Sequence, residues 1–299
     1  MSQLSLIIKN EYLTDIKAKS FWITTFLLPV IMFGFGIFIG FLAEDSDALK
    51  TIANPVAPDQ DSFTPEKLLG MMLGMFLALF LMMYGAQIFN KVKTEKCNRI
   101  VEIISTCVDG RTMMLAKIIS VGLIGLTQLV LWGILISLFA FLFIMIMGVR
   151  IPFEALAQPW IWTGLAWSIA FFLAGYVFYG SMFAAVGAMT DKNNENQEYL
   201  SVLTFILLGS FYIGMFAVDH TGSALTTWCS FIPFTSPVVG TVLVVSGDCP
   251  VWMGALSLVT LIGFAALVLA FSGKLYTSSL LLKGKKFSPH DIVTFLRSK

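Results

Sequence analysis

The chain alternates between long apolar runs and short polar connections. Six runs are long enough to cross a hydrocarbon core of about 30 Å, which takes about 20 helical residues. They cover residues 21–42, 68–89, 118–147, 160–189, 200–218 and 251–272, and none contains Asp, Glu, Lys, Arg or His. Because lipid leaves the backbone of an open sheet edge unsatisfied, each run is predicted to be a helix. The predicted fold class is therefore an all-α polytopic membrane protein, with one six-span domain over 21–272.

Composition supports a membrane protein. Apolar residues make up 57% of the 299 positions and charged residues 12%, and the mean hydropathy is +0.85. Soluble domains carry about 45–50% apolar and about 25% charged residues. These values exclude a cytosolic enzyme, a secreted disulfide scaffold and a disordered regulator. The net charge of +1 provides no basic field for nucleic acid.

The basic residues are concentrated on one side of the predicted membrane. Sixteen of the 19 Lys and Arg residues lie in segments 1–20, 90–117, 190–199 and 273–299. The connections on the other side are mainly acidic. Because cytoplasmic loops carry the excess of Lys and Arg, both termini are predicted to be cytoplasmic.

Segment 91–117, on the cytoplasmic side, contains an amphipathic pattern. Apolar residues follow the i, i+3, i+4, i+7 spacing of one helix face: Ile100, Ile103, Ile104 and Cys107. Asp109-Gly110 is predicted to end this helix, with Gly110 in a left-handed conformation. The helix could be an interfacial helix on the membrane surface, or a docking helix that transmits force from a soluble partner. Periodicity does not separate these two interpretations.

Two further amphipathic segments flank the spans. Segment 1–20 carries an apolar stripe of Leu4, Ile7, Ile8 and Tyr12. In the tail 273–299, Ser288-Pro289-His290-Asp291 resembles a helix start, and an apolar face of Ile292, Phe295 and Leu296 follows. Both are predicted to be cytoplasmic helices that contact membrane lipid.

The connection 219–250 is too apolar for an exposed loop and too interrupted for a span. It predicts short re-entrant helices in the outer leaflet, with Pro233 and Pro237 marking their ends. Cys229 and Cys249 lie on the outer side, and the sequence leaves open whether they form a disulfide.

The spans hold no coupling chemistry of their own. Ion-coupled carriers need ionisable groups within the membrane, and both histidines lie outside the spans. The sequence contains no GxxxxGK[ST], HExxH or GxSxG motif. The chain is therefore predicted to be neither an enzyme nor a holder of a metal or cofactor. Gly36-x-x-x-Gly40 and Gly70-x-x-x-Gly74 predict close helix packing.

Two motifs carry a resemblance to a known family. The first motif resembles the EK-x-x-RI-x-E signature of ABC-2 type exporter permeases, closest to the NatB-like sodium-exporter branch. It consists of Glu95-Lys96-Cys97-Asn98-Arg99-Ile100-Val101-Glu102-Ile103-Ile104, followed by Leu115-Ala116-Lys117. Ile232-Pro233-Phe234-Thr235-Ser236-Pro237 is similar to that branch's segment before the last span. The resemblance covers nearly the whole chain. One departure is that the first connection has about 25 residues, where NatB-like permeases insert a large extracellular domain.

The resemblance implies partners. Segment 91–117 would be the coupling segment that docks on separate ABC ATPase subunits, which would bind ATP and Mg. The implied interface residues are Glu95, Asn98, Arg99, Ile100, Glu102, Ile103, Ile104, Asp109 and Lys117. A second permease subunit, identical or related, would complete a translocation path in the bacterial inner membrane. The exported substrate would be an ion, drug, peptide or lipid-like molecule, and the apolar spans favour an amphipathic one.

Two other classes of protein fit the residues. A non-transporting membrane module that anchors a cytoplasmic protein or senses for it would use the same docking helix. A self-sufficient channel or secondary carrier is disfavoured by the absence of charge within the spans.

Overall fold

The apolar runs fold into helices, and several of these helices extend beyond the run that predicted them. The computed structural model describes residues 3–44, 65–97, 109–147, 158–190, 198–220, 222–247 and 249–281. Within these ranges the secondary structure is helical, without strands. The helices are α1 (Gln3–Lys17), α2 (Lys19–Glu44), α3 (Pro65–Cys97), α4 (Gly110–Met147), α5 (Pro159–Met189), α6 (Glu198–Asp219), α7 (Ala224–Phe231), α8 (Ser236–Val245) and α9 (Val251–Leu281).

In the part of the chain that the structure describes, five helices are long and apolar enough to cross a membrane, namely α3, α4, α5, α6 and α9. They contain the second to sixth predicted runs, which are therefore confirmed as helices. Helix α2 has 26 residues and contains the first predicted run, but it is not among these five helices. A sixth span thus remains a prediction.

The helices at the coupling segment differ from the predicted pattern. Helix α3 continues beyond Phe89 to Cys97, so the first part of segment 91–117 extends a span. Gly110 was expected to end a helix with positive φ, but it is the first residue of α4, and the described positive-φ glycine is Gly247 (φ 75°). A Cβ at Gly110 would lie 2.8 Å from Thr277 Oγ1. Close packing, rather than a left-handed turn, is therefore the reason for this glycine.

The chain divides into two compact units. Unit 1 comprises residues 1–9, 65–122 and 159–299. Its centre is α5, which is mostly buried, and α3 and α9 pack along it. Glycines allow the close approach of α3 and α5, since a Cβ at Gly180 would lie 3.0 Å from Ile88 Cδ1.

Unit 2 comprises residues 10–64 and 123–158. Within it, Phe33 of α2 stacks on Phe139 of α4, with ring centroids 4.5 Å apart. The hydroxyl groups of Tyr12 and Thr127 are hydrogen-bonded at 2.8 Å. Helix α2 therefore packs on the later part of α4.

Helix α8 lies in a socket of glycines within unit 1. Every side chain from Ser236 to Leu243 is buried. A Cβ at Gly74 would lie 2.6 Å from Val242 Cγ2, so the close packing predicted for the Gly70–Gly74 pair is confirmed. The glycines whose missing side chains make room for α8 come from four helices: Gly70 and Gly74 of α3, Gly164 and Gly175 of α5, Gly214 of α6 and Gly254 of α9.

Candidate functional site

The structure describes the two ends of the coupling segment. Residues 91–97 form the end of α3, and α4 begins directly after Asp109, which is exposed and accepts a hydrogen bond from Met113 N on its carbonyl oxygen at 3.1 Å. The interface residues predicted between these ends lie outside the described residues; they are Asn98, Arg99, Ile100, Glu102, Ile103 and Ile104.

A buried ion pair joins the two ends. The Lys117 ammonium, on the second turn of α4, donates to Glu95 Oε1 near the end of α3. The Lys117 side chain is 2% exposed and that of Glu95 is 29% exposed. A buried ammonium without a partner costs several kcal/mol, and the Glu95 carboxylate offsets part of this cost for Lys117. Both residues belong to the predicted interface set, and the structure brings them together.

The end of α3 is attached to the end of α5. Lys96 Nζ donates to the backbone carbonyl of Ala188 at 2.7 Å, and therefore satisfies a carbonyl in the last turn of that helix. One residue earlier, a Cβ at Gly187 would lie 2.8 Å from the carbonyl oxygen of Phe89. The two backbones therefore approach closely, and only glycine fits at this position.

The start of α4 is attached to the later part of α9. Besides the Gly110–Thr277 contact, Ser272 Oγ lies 3.3 Å from Met114 Sδ and donates to the carbonyl oxygen of Ser181 at 2.7 Å. A Cβ at Gly273 would lie 3.3 Å from Arg111 Cγ. The two ends of the coupling segment are thus fixed to two different helices, α5 and α9.

The apolar connection between α6 and α9 forms a hairpin of two short helices, hereafter the α7–α8 hairpin (224–245). Ser223 caps α7 by accepting from Thr226 N at 3.2 Å. Pro233 lies in the turn after α7, and Pro237 lies in the first turn of α8, where a missing N–H has no cost. Both prolines therefore stand where helix ends were predicted.

The turn of the hairpin is held by neighbouring helices. The carbonyl oxygen of Phe234 accepts hydrogen bonds from Tyr179 of α5 and, at 3.0 Å, from Ser210 of α6. The ring of Phe234 packs edge-on against the ring of Phe178, with a centroid distance of 5.3 Å. Thr235 Oγ1 donates to the carbonyl of Cys229 and so closes the turn on α7.

Three serines connect the hairpin to α9. The hydroxyl groups of Ser236 and Ser257 are 2.8 Å apart, and Ser257 also donates to the carbonyl oxygen of Ser230. All three side chains are buried. Of the five predicted re-entrant residues, Thr235, Ser236 and Pro237 are buried, whereas Pro233 and Phe234 are partly exposed.

The structure does not form the disulfide that the sequence left open. Cys229 and Cys249 are free, partly buried thiols. Both pack against one cluster of buried side chains, made of Ala217, Val218, Val239, Val242 and Leu243. Among the described residues, no group of three or more His, Cys, Asp and Glu side chains could hold a metal ion.

Sequence reasoning missed the Glu95–Lys117 pair and the bonds to Phe234. The Glu95–Lys117 pair had one available signal, an acid and a base at opposite ends of a segment bounded by spans. The bonds to Phe234 involve its backbone carbonyl, which has no sequence signature.

Comparisons with known proteins place the chain in a family. The family model described as ABC-2 family transporter protein matches residues 50–274. The uncharacterized protein YhaP of Bacillus subtilis (strain 168) is 25% identical over 227 residues, covering 72% of this chain and 52% of YhaP. The uncharacterized protein MJ1024 of Methanocaldococcus jannaschii is 21% identical over 150 residues, covering 50% of this chain and 34% of MJ1024.

The matches to these relatives thus span about half of one and a third of the other. No solved structure matches the chain. The family model covers most of the spans and both candidate regions, the coupling segment and the α7–α8 hairpin. The chain is therefore an integral membrane protein that belongs to the ABC-2 transporter family.

Proposed function

We propose that the chain is the permease subunit of an ATP-driven exporter and forms half of a translocation path, opposite a second permease subunit that is identical or related. The family membership supports this proposal. The observation that carries it is the attachment of both ends of the coupling segment to spans, through Lys96 on α5 and Gly110 on α9. A segment fixed in this way transfers displacement to the membrane domain.

The energy comes from a separate ABC ATPase subunit, which binds ATP and Mg²⁺. The central part of the coupling segment docks on that subunit. There Arg99 and Glu102 make polar contacts, and Ile100, Ile103 and Ile104 pack against the partner or the bilayer. The chain itself carries no P-loop motif, so hydrolysis belongs to the partner.

The topology we propose has six spans, with α2 as the first and both termini in the cytoplasm. The charge distribution supports this orientation, with the coupling segment inside. The location we propose, from the family resemblance, is the bacterial inner membrane. The α7–α8 hairpin then enters the membrane from the outer side and returns to it. Helices of 8 and 10 residues are too short to cross, and this supports a re-entrant arrangement.

The exported substrate is an ion, drug, peptide or lipid-like molecule, and an amphipathic molecule fits the surfaces best. The exposed faces of α3 and α6 are apolar, with Met72 60%, Phe205 70% and Tyr212 62% exposed. A hydrated ion would lose its water against such surfaces without compensating ligands.

Purification of a tagged chain from its native membranes in mild detergent, followed by mass spectrometry, tests the proposal. We expect a co-purifying protein with a P-loop and a second permease subunit. If no ATPase accompanies the chain, the exporter assignment fails, and a non-transporting module that anchors or senses for another protein takes its place.

A charge reversal tests the docking role. Glu102→Lys is expected to abolish ATPase assembly or stimulation while the chain still inserts. Asp219→Lys is the matched control, because Asp219 is exposed at the end of α6 and outside the coupling segment. Normal transport by Glu102→Lys, at normal subunit stoichiometry, would refute the docking assignment.

A further inference from the structure

The burial of Lys117 separates it from any docking surface. Its side chain is 2% exposed in the chain alone, so a subunit that docks on the coupling segment cannot contact its ammonium. Its ion-pair partner Glu95 belongs to the same chain and lies across the segment, 22 positions away in sequence. Lys117 therefore acts within the permease and not at the seam with a partner.

Stability alone does not account for an ion pair at this depth. Desolvation of two charges offsets much of their attraction, and apolar side chains of similar volume would be equally or more stable. In some proteins a buried polar or charged group instead fixes the register of neighbouring helices, and we attribute this role to the pair. The Glu95–Lys117 pair thus defines where the end of α3 lies relative to the start of α4.

Each of these ends has its own rigid attachment. Helix α3 cannot slide along α5 without breaking the Lys96–Ala188 bond and the glycine contact at Gly187. The start of α4 packs closely on α9 at Gly110 and Gly273, where an added Cβ would lie 2.8 Å from Thr277 Oγ1 and 3.3 Å from Arg111 Cγ. A displacement of the coupling segment therefore has two routes into the membrane domain, one through α5 and one through α9.

We propose that Glu95 and Lys117 are a positioning pair that joins the two ends of the coupling segment, so that a push on the segment moves the end of α3 and the start of α4 together and reaches both α5 and α9. The transport consequence rests on the proposed function. The mechanical part does not, because it concerns this chain alone.

The test measures the distance between spin labels on the two helices by pulsed electron paramagnetic resonance in lipid nanodiscs. Labels are placed at Thr94 and Ile119, both exposed, in a chain whose four native cysteines are replaced by serine.

We expect one narrow distance peak for the parent chain. Glu95→Gln and Lys117→Met should each lose that peak, and the exchange Glu95→Lys with Lys117→Glu should recover it. Lys93→Met, which removes a nearby cation outside the pair, is the matched control and should keep the peak.

The neutral double variant Glu95→Gln/Lys117→Met separates position from stability. It buries no unpaired charge, so we expect it to fold with the melting temperature of the parent chain and still lose the narrow peak. A narrow peak in this variant and in both single variants would overturn the proposal.

A second readout uses the ATPase subunit that co-purifies with the chain. We expect the pair variants to retain this subunit but to lose the change in label distance that ATP produces in the parent complex. Loss of the subunit with the narrow peak retained would place the two residues at the docking surface and overturn the proposal. If the parent chain retains no ATPase, the proposed function fails, and the label distances still decide the positioning role.

Discussion

Trp132 donates its indole N–H to the backbone carbonyl oxygen of Thr25 at a distance of 3.1 Å. This carbonyl is the one that Pro29, four residues later in α2, leaves without its helical donor, because proline has no N–H. A side chain of α4 therefore satisfies the group that the proline frees. In hydrocarbon, such a group would otherwise cost several kcal/mol.

We expect Trp132→Phe to lower the free energy of unfolding by about 1–3 kcal/mol, since it leaves the Thr25 carbonyl unsatisfied. Pro29→Ala restores a backbone N–H that can donate to the Thr25 carbonyl. In that background, Trp132→Phe should therefore lower the free energy of unfolding by less. Unfolding by denaturing detergent, applied to all four combinations, measures the coupling. Equal costs of Trp132→Phe in both backgrounds would show that the indole contributes packing only.

The glycine socket gives a second prediction. Gly74→Ala should destabilise the protein by about 1–3 kcal/mol, because the added Cβ would lie 2.6 Å from the stiff, branched side chain of Val242. Val242→Ala should recover part of this loss. The matched control is Gly133→Ala in α4, where a Cβ meets nothing within 4 Å and helix propensity favours alanine. Similar melting temperatures for Gly74→Ala and Gly133→Ala would contradict the close packing of α3 and α8.

The Phe234 carbonyl accepts two hydrogen bonds, so it tolerates the loss of one. Tyr179→Phe or Ser210→Ala alone should lower the free energy of unfolding by about 0.5–1.5 kcal/mol. The two changes together should lower it by more than the sum of the single effects, because only then is the carbonyl left without both donors. Protease susceptibility of the hairpin reports local opening. Strict additivity would indicate that the two donors act on the turn independently.

The thiols of Cys229 and Cys249 should be chemically free. After denaturation without reductant, all four cysteines of the chain should react with a maleimide, and mass spectrometry counts the adducts. Adducts confined to Cys97 and Cys107 before reduction, and present on all four cysteines after it, would demonstrate the Cys229–Cys249 disulfide.

In the native protein, Cys249 should react slowly at neutral pH. Burial raises the pKa of its thiol above the ordinary value, and the hydrogen bond from the Gly254 backbone offsets this only in part. Because the thiolate is the reactive form, its rate of alkylation should rise with pH and stay below that of an exposed thiol. A rate equal to that of free cysteine at neutral pH would contradict the burial.

Hydrophobic pattern was sufficient to predict the five long apolar helices α3, α4, α5, α6 and α9, because a helix in lipid must be long, apolar and uncharged. It also located the α7–α8 hairpin, since Pro233 and Pro237 interrupt a run that is otherwise apolar. The family resemblance came from short motifs, and the match over 50–274 confirms it at the level of the ABC-2 family.

Pairing between helices could not be predicted in the same way. Glu95 and Lys117 were both singled out, but nothing in their spacing indicates that α3 and α4 bring them together. Gly110 has the signature of a helix end, yet its role is set by Thr277, more than 160 positions away. Such relationships depend on which helices are neighbours, and a single sequence carries no record of that.

The glycines around α8 come from helices that are made at different times during translation. The ribosome completes α3, α5 and α6 before α8, but Gly254 and Ser257 of α9 follow it. With 10 residues, α8 is too short to span the bilayer, so it is not expected to insert as a span during translation. The set of helices that surrounds α8 is complete only when α9 has been synthesised. The α7–α8 hairpin therefore reaches its final packing only after the ribosome has made α9, and not in the order in which the helices are synthesised.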